Sequence, residues 1–312
     1  MSVLLQPTPR PATASRASWR TLAQAYYNLT KPRIMLLLLV TTLAAVLIAV
    51  RQHPLPVADF VRVLVVTLLG GALASGGAAA LNCYIDRDID AVMNRTRGRA
   101  LPSGVAQPRH VLLYGLALTA LAGGILLAWV NPLAAALALL GNFYYVVIYT
   151  MWLKRSTSQN IVIGGAAGAI PPLVGWAAVT GSLALPALLL FVIIFMWTPA
   201  HFWALALLNR KDYAAVHVPM LPAVAGEVYT KWRILAYTVL VVASTLLLYV
   251  VHAMGLLYLA AAIALGAGFI YKAVRLLRDK GHGRARSTFM YSNIYLALLF
   301  FAMVVDRIVP LH

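Results

Sequence analysis

Nine apolar segments, each about long enough to cross a bilayer, constrain this chain more than any other feature of its sequence. A membrane-spanning helix needs about 20 mainly apolar residues, with a lower limit near 17. The segments are residues 34–50, 61–81, 110–130, 133–153, 161–180, 185–208, 234–251, 256–277 and 289–309. They lack the polar–apolar alternation that is typical of a membrane β-barrel. The sequence therefore predicts an all-α, polytopic membrane protein with nine transmembrane helices.

The composition supports the same fold class. Hydrophobic residues make up 62% of the chain and charged residues 11%, and the mean hydropathy is +0.84. A soluble domain carries about 25% charged residues. The only cysteine, Cys83, excludes an internal disulfide and any metal site built from several cysteines.

The net charge of +17 is that of many nucleic-acid-binding proteins, so the positions of the basic residues matter. If the N-terminus is cytoplasmic, only Arg51, Arg62 and Arg307 among the 25 lysines and arginines fall on the outer side. This asymmetry follows the positive-inside rule and predicts an N-in, C-out topology. No nucleic-acid partner is needed to explain the charge. A bacterial inner membrane is the favoured location, with the mitochondrial inner membrane as the alternative.

Residues 1–28 are predicted to form a disordered cytoplasmic tail. Residues 1–20 are rich in Pro, Ala, Ser, Thr and Arg and contain no acid, and they lack an apolar core of their own. The pattern of a cleavable signal peptide is also missing. Residues 29–312 are then expected to form a single intramembrane domain.

Acidic residues are rare, yet three of the eight lie within five positions at the end of the second apolar segment. On a helix each step of four residues advances about 40°, so Asn82, Asp86 and Asp90 share one stripe. Oxygen ligands at a membrane are costly unless a cation occupies them, and Mg²⁺ prefers such ligands. We therefore predict that these three residues hold Mg²⁺. Asp88 lies on the far side and is expected to pair with Arg87 or another nearby arginine.

Basic residues surround this motif in the sequence or on the same predicted face. Carboxylate-bound metal with guanidinium groups beside it suits a diphosphate, whose oxygens both can bind. The candidates for diphosphate binding are Arg95, Arg97, Arg99, Arg155, Lys31 and Arg33, and Lys154 is assigned to catalysis with the acid motif. The alternative for each is a topology signal that contacts lipid headgroups.

The motifs resemble those of the UbiA superfamily of intramembrane prenyltransferases, in particular its heme-farnesylating branch. The resemblance covers nearly the whole chain past residue 28. The stretches that carry it are residues 29–33, 82–104, 149–155, 160–176, 197–203 and 212–222. The second acidic motif is reduced to Asn209 and Asp212, a departure from the fuller pattern of quinone-type relatives.

The resemblance implies a UbiA-like bundle that transfers a farnesyl group from farnesyl diphosphate to the vinyl group of heme B. Water then adds, and the products are heme O and diphosphate. Mg²⁺ is the implied cofactor, with Asp212 as a further metal ligand. Membrane lipid surrounds the reaction, and a heme A synthase or terminal-oxidase assembly would receive the heme O.

Several aromatic residues are candidates for heme or prenyl binding. A developing carbocation would be held by aromatic faces, such as those of Tyr145 and Tyr149, for which packing is the alternative. A histidine in hydrocarbon needs a partner. His201, near Trp197, is expected to ligate heme iron, bond a propionate, or satisfy backbone freed by the adjacent proline. His217 is a further candidate.

Three alternative functions remain at this point. An aromatic or quinone-precursor polyprenyltransferase would be favoured by a fuller second acidic motif. A secondary transporter is compatible with helix breaks near Pro171 and Pro199, although transporter sites lie near the midplane of the membrane. A heme-binding chaperone would bind heme without consuming a diphosphate.

Overall fold

The architecture is a bundle of long helices. The computed structural model describes residues 18–281 and 283–308, and in these residues all regular structure is helical. Nine helical segments in the same residues are long and apolar enough to cross a membrane. The predicted all-α fold with nine spans is thereby confirmed. The N-in, C-out orientation stays a prediction, since helix positions alone do not assign a side.

The helices follow the predicted segments closely. They are α1 Trp19–Leu29, α2 Pro32–Gln52, α3 Val57–Ile85, α4 Arg87–Val92, α5 Pro108–Trp129, α6 Pro132–Phe143, a π-helical segment Tyr144–Leu153, α7 Lys154–Ser156, α8 Asn160–Ala169, α9 Pro171–Thr180, α10 Leu185–Leu208, α11 Arg210–Ala215, α12 Leu221–Val224, α13 Glu227–Val250, α14 Leu256–Leu277 and α15 Ala285–Ile308. One span consists of α6, the π-helical segment and α7, and another of α8 and α9.

Prolines set several helix starts. Pro32, Pro108, Pro132 and Pro171 each lie in the first turn of a helix, where the missing N–H costs nothing. The predicted helix break near Pro171 is present as the junction of α8 and α9. The expected break at Pro199 is not, because Pro199 lies inside the uninterrupted helix α10. Neighbouring helices can satisfy the backbone group that such a proline frees.

The predicted disordered tail is wrong in its last part, which forms helix α1. Ala25 and Leu29, one turn apart, are buried on the same face. Tyr26 packs edge to face against Tyr114 of α5, with ring centroids 5.2 Å apart. This apolar face gives the segment a place to dock, which a composition-based expectation overlooks. Residues 1–17 lie outside the described part of the chain.

Close contact between α3 and α5 depends on small residues. A Cβ atom on Gly77 would lie 2.8 Å from the backbone oxygen of Gly115 and 2.6 Å from Thr119 Oγ1. The amide of Asn142 in α6 joins the same contact by donating to Ala74 O at 3.0 Å and Thr119 Oγ1 at 2.9 Å. Small residues and buried amides of this kind commonly hold membrane helices together. They fix the position of α3, whose end carries the acid motif.

The polar loops gather at one end of the bundle, here called the polar end. Asp212, at the start of α11, accepts hydrogen bonds from Asn94 Nδ2 and Arg95 N, both at 3.3 Å. Lys231 of α13 donates to the backbone oxygen of Asp279, in the α14–α15 loop, at 2.7 Å. The loop that follows α4 is therefore in direct contact with α11.

We predict that Gly77→Ala destabilises the protein by about 1–3 kcal/mol, because the new methyl group meets backbone that cannot move aside. Gly124→Ala in α5 is the control, since a Cβ atom there meets nothing within 4 Å. That change should leave stability equal or slightly higher, because alanine favours helix. Thermal unfolding of the two variants in detergent measures both effects. Equal unfolding temperatures would contradict the assigned contact.

Candidate active site

Asn82, Asp86 and Asp90 lie on one stripe across the junction of α3 and α4. Asp86 N donates to Asn82 O at 2.9 Å, and Asp90 N donates to Asp86 O at 2.8 Å, so the helical pattern continues through the junction. The three residues are 3%, 1% and 3% exposed. The predicted placement of these three residues along one helical stripe is therefore confirmed. Two acids buried this deeply require compensation, because an unpaired buried charge is very costly.

Asp86 is at the centre of the compensating contacts. Its Oδ2 accepts from Lys154 Nζ at 2.5 Å and from Asn82 Nδ2 at 2.7 Å. Its Oδ1 lies 3.7 Å from Arg155 Nη2 and accepts no hydrogen bond from any described residue. Buried polar atoms almost always have a partner. Oδ1 of Asp86 is thus buried without a hydrogen bond, at ion-pair distance from Arg155.

Asp90 has its own basic partner. Arg99 Nη1 donates to Asp90 Oδ2 at 2.6 Å, and Thr96 Oγ1 donates to the Asp90 backbone oxygen at 3.0 Å. These bonds fold the loop after α4 back over the acid motif. Arg99 is accordingly held beside the acids, whereas Arg97 in the same loop is exposed.

Lys31 joins the group from the other side, between α1 and α2. Its Nζ donates to Asn82 Oδ1 at 2.5 Å and lies 3.5 Å from Tyr145 Oη. Its backbone is left-handed, with φ of 52°. Such a conformation costs roughly 1–3 kcal/mol outside glycine and clusters at functional sites. The surroundings thus hold Lys31 in a fixed position against Asn82.

The π-helical segment that follows α6 was not expected from the sequence, which predicted one α-helix over residues 133–153. Tyr145 and Tyr149 in this segment stack with ring centroids 5.6 Å apart and an interplanar angle of 22°. The Tyr149 ring occupies the space that a Cβ atom on Gly164 would need. Sequence periodicity missed the segment because an almost wholly apolar stretch gives no signal of helical register. π-helical turns are rare in proteins as a whole, but those that occur are often found at functional sites.

Asp88 lies apart from the acid stripe and pairs with an arginine as predicted, but the partner is Arg155 rather than Arg87 or one of its neighbours in the sequence. Arg155 Nη1 and Nη2 each donate to one Asp88 oxygen at 2.7 Å. Arg87 instead donates to the Tyr84 backbone oxygen. The hydrogen bonds from Arg155 lower the pKa of Asp88 from 3.8 to about 2. Arg155 is thus engaged by Asp88 as well as lying near Asp86.

A basic cavity of about 820 Å³ opens beside this group, under α1 and the loop after α4. Its wall includes Arg20, Lys31, Arg95 and Arg99, and its described lining contains no acid. A concave surface with one sign of charge attracts ligands of the opposite sign. The cavity is therefore suited to an anion.

The predicted set of metal ligands is not assembled as a compact group. Among the described residues, no three His, Cys, Asp or Glu side chains lie close enough to share a metal ion. Asp86 and Asp90 are held by Lys154 and Arg99, and Asp212 is held by the loop after α4. The reason is electrostatic, since each carboxylate already has a protein partner. Arg33, like Arg97, is exposed, and it makes no ion pair with any acid among the residues that the structure describes.

Trp197 and His201 form a separate aromatic cluster between α10 and α15. Their rings stack 4.2 Å apart, Trp197 Nε1 donates to Ser292 O, and His201 Nδ1 lies 2.7 Å from Ser292 Oγ. His201 thus finds its partner on α15 rather than at the backbone near Pro199. His217 is exposed, in a left-handed loop position with φ of 53°. No described contact links these three candidates to Asn82, Asp86 or Asp90.

Two polar residues in the site escaped the sequence-based assignment. Thr150 is fully buried and accepts from Asn82 Nδ2 at 3.0 Å. Asn160 is equally buried, and its Nδ2 lies 3.5 Å from the backbone oxygen of Lys154. Both lie in the stretches 149–155 and 160–176 that carry the family resemblance, so a signal was present in the sequence but no role was assigned to either residue.

We predict that the Asp88–Arg155 pair contributes a small, pH-dependent stability. A lowered pKa means that this stability is present above about pH 4 and is lost as the pH falls towards 2. The difference in Tm between wild type and Asp88→Asn should be constant from about pH 7 to 5 and should shrink below about pH 4. A difference that grows on acidification would contradict the pairing.

Comparisons of the sequence with those of known proteins agree on one family. A sequence model of the UbiA prenyltransferase family matches residues 38–301. A protein from Nostoc sp. is 53% identical over 291 residues, which cover 93% of this chain and 90% of the relative. One from Gloeobacter violaceus is 55% identical over 284 residues, which cover 91% and 92%. Both relatives are named protoheme IX farnesyltransferase.

Solved structures share the fold at low sequence identity. A digeranylgeranylglyceryl phosphate synthase superimposes with a TM-score of 0.75 at 18% identity, over 92% of this chain and 99% of that one. A UbiA homolog from Archaeoglobus fulgidus bound to GPP and Mg²⁺ gives 0.63 at 15% identity, over 90% and 99%. The predicted UbiA-like bundle is thereby confirmed.

Proposed function

This chain belongs to the UbiA prenyltransferase family, and we propose that it transfers the farnesyl group of farnesyl diphosphate to the vinyl group of heme B. The names of relatives at about half sequence identity support heme as the acceptor. The observation that carries the chemistry is the buried Asp86 carboxylate, with one oxygen free of hydrogen bonds and basic groups around it.

The donor set has the chemistry that a magnesium ion requires, and binding would release its oxygens from their present basic partners. Asp86 offers Oδ1, which accepts no hydrogen bond, and Asn82 and Asp90 supply further oxygens on the same stripe. Hard oxygen donors in small number, with substrate phosphates completing the shell, suit Mg²⁺. A UbiA homolog of the same fold binds Mg²⁺ together with GPP. When bound, Mg²⁺ would neutralise charge on the diphosphate oxygens. Asp212 would join from the first turn of α11.

The basic residues of the site are proposed to bind the diphosphate. Lys31, Lys154 and Arg99 reach the acid stripe: in the structure Lys154 pairs with Asp86, Arg99 pairs with Asp90, and Lys31 donates to the amide oxygen of Asn82. With substrate present, these cations are close enough to turn to phosphate oxygens, where they stabilise the charge of the leaving group. Four further arginines at the polar end would guide the anion inwards or bind its outer oxygens: Arg33, Arg95, Arg97 and Arg155.

The reaction begins when the bond between the allylic carbon and the diphosphate oxygen breaks. The π faces of Tyr145 and Tyr149, next to Lys31, are suited to stabilise the allylic cation. The vinyl group of heme B then forms the new carbon–carbon bond. Water adds to the resulting cation beside the pyrrole and loses a proton. The balance is heme B, farnesyl diphosphate and water in, and heme O, diphosphate and a proton out.

Contacts to the porphyrin are proposed for the aromatic cluster between α10 and α15. Trp197 and His201 offer flat faces, and His201 offers a ring nitrogen that is not bonded to Ser292. His217, exposed beyond α11, would contact heme only at the entrance. We place the polar end on the cytoplasmic side of a bacterial inner membrane, and a heme A synthase or terminal-oxidase assembly would receive the product.

We expect the purified protein, supplied with heme B, farnesyl diphosphate and Mg²⁺, to form a heme whose mass is raised by one farnesyl group and one hydroxyl group. Asp86→Asn should lower the rate at least about 100-fold, because removing even an outer partner of a metal site costs 10–100-fold. Asp88→Asn is the matched control and should retain most activity. Mass spectrometry of extracted heme measures the product.

Two results would count against this function. Farnesylation of an aromatic quinone precursor, with heme B unchanged, would assign the acceptor to the alternative enzyme. Full turnover of Asp86→Asn would show that the Asp86 carboxylate is not needed to hold the metal. That result would contradict the proposed mechanism.

We further predict that Lys154 competes with the metal for Asp86. In Lys154→Gln the carboxylate loses its cation, so Mn²⁺, used as a paramagnetic probe for Mg²⁺, should bind alone about 5- to 100-fold more tightly. Binding of magnesium pyrophosphate should weaken, because one phosphate-binding cation is gone. Arg87→Gln, which removes an outward-facing cation, should change neither affinity. Weaker Mn²⁺ binding in Lys154→Gln would contradict the competition.

A further inference from the structure

Thr150 lies in the π-helical segment and contacts the acid stripe through Asn82. We propose that Thr150 is a positioning residue, which orients the Asn82 amide and keeps the π register that brings Lys154 to Asp86. This inference rests on the proposed function, since it concerns the same metal–diphosphate site. Thr150 is fully buried, so it acts through its neighbours rather than on a substrate.

The hydrogen bonds around Thr150 fix the direction of each donor. Thr150 Oγ1 donates to the backbone oxygen of Tyr145 at 2.8 Å, which uses its only proton. The hydroxyl oxygen therefore accepts from Asn82 Nδ2, at 3.0 Å. The second N–H of Asn82 donates to Asp86 Oδ2 at 2.7 Å. Both protons of the amide are thus committed.

The orientation of Asn82 follows from these bonds. Its Oδ1 points at Lys31 Nζ, 2.5 Å away. A flipped amide would set its oxygen against the Asp86 carboxylate and its NH₂ group against the Lys31 ammonium, which is repulsive on both sides. Thr150 strengthens the correct orientation by accepting one of the two protons. The oxygen of Asn82 is consequently presented to a cation, either Lys31 or a metal.

The π register determines which residue faces the acids. An α-helix has 3.6 residues per turn, so two turns after Tyr145 would bring residue 152 to the same face. Bonds from residue i to i+5 widen the turn to more than four residues, and two turns then reach residue 154. In the structure Trp152 is 62% exposed, whereas the Lys154 side chain is 13% exposed and bonded to Asp86.

Thr150 contributes to this register. In an α-helix a threonine hydroxyl bonds to the carbonyl three or four residues earlier. Here it bonds to Tyr145, five residues earlier, and Lys154 N bonds to Tyr149 O with the same spacing. The hydroxyl thus supports the wide turn from the side that faces Asn82. Without the hydroxyl, residue 150 would no longer link the register that places Lys154 to the orientation of the Asn82 amide.

The test compares Thr150→Val with Thr150→Ser in the full-length protein. Valine keeps the shape and removes the hydroxyl, whereas serine keeps the hydroxyl. We expect Thr150→Val to weaken Mn²⁺ binding in the presence of inorganic pyrophosphate, and to raise the half-saturating Mg²⁺ concentration for turnover, by about 10–100-fold, the range for outer partners of metal sites. Thr150→Ser should remain within about threefold of wild type, and thermal unfolding checks that both variants fold.

The outcomes separate this inference from the proposed function. Wild-type metal affinity in Thr150→Val would overturn it, and so would an equal loss in both variants with lowered Tm, which indicates a packing role. If the wild type binds Mn²⁺ and pyrophosphate but never farnesylates heme B, the proposed function fails. In that case a selective loss of Mn²⁺ binding in Thr150→Val would still support the positioning role.

Discussion

The structure depends on how the charge of Asp86 is compensated inside the bundle. A carboxylate that is 1% exposed needs hydrogen bonds and opposite charge, because the desolvation of an isolated ion is very costly. Lys154 and Asn82 supply them directly, and Lys31 and Thr150 hold Asn82 in turn. Residues before α2, at the end of α3 and at the end of the π-helical segment therefore meet at one carboxylate, which ties three spans of the bundle together.

The apolar helices act as the frame for that meeting point. Close approach at Gly77 and the amide of Asn142 fix α3 against α5 and α6. The π-helical segment then continues α6 in a wider turn, so that Lys154 faces inwards while Trp152 faces outwards. A distortion of this kind within a membrane span is tolerated because surrounding helices satisfy the backbone. The frame is apolar and regular, and the irregular parts coincide with the polar end.

In the structure the acidic and basic side chains of the site neutralise one another. Asp86 pairs with Lys154, Asp90 with Arg99 and Asp88 with Arg155, so each acid of the motif has a basic partner. The same cations are the ones best placed for a diphosphate, and the same acids the ones best placed for a metal. Both ligands would therefore exchange partners within an existing set of charges rather than bring charge into an apolar interior. This arrangement limits the desolvation cost that a buried polar site otherwise carries.

The sequence alone determined the fold class, the nine spans and the acid stripe, because apolar length and a four-residue spacing are local properties that any environment preserves. It also assigned Lys154 to catalysis and Arg99 to diphosphate binding on the same face as the acid motif, and the structure shows that both pair with its acids. Only the tertiary structure decided that Arg155 pairs with Asp88, that Asp212 is held by Asn94 and Arg95, and that His201 finds Ser292. These contacts join residues distant in the chain. The π register and helix α1 also came from the structure alone, since both depend on which neighbours offer a hydrogen-bond partner or an apolar surface.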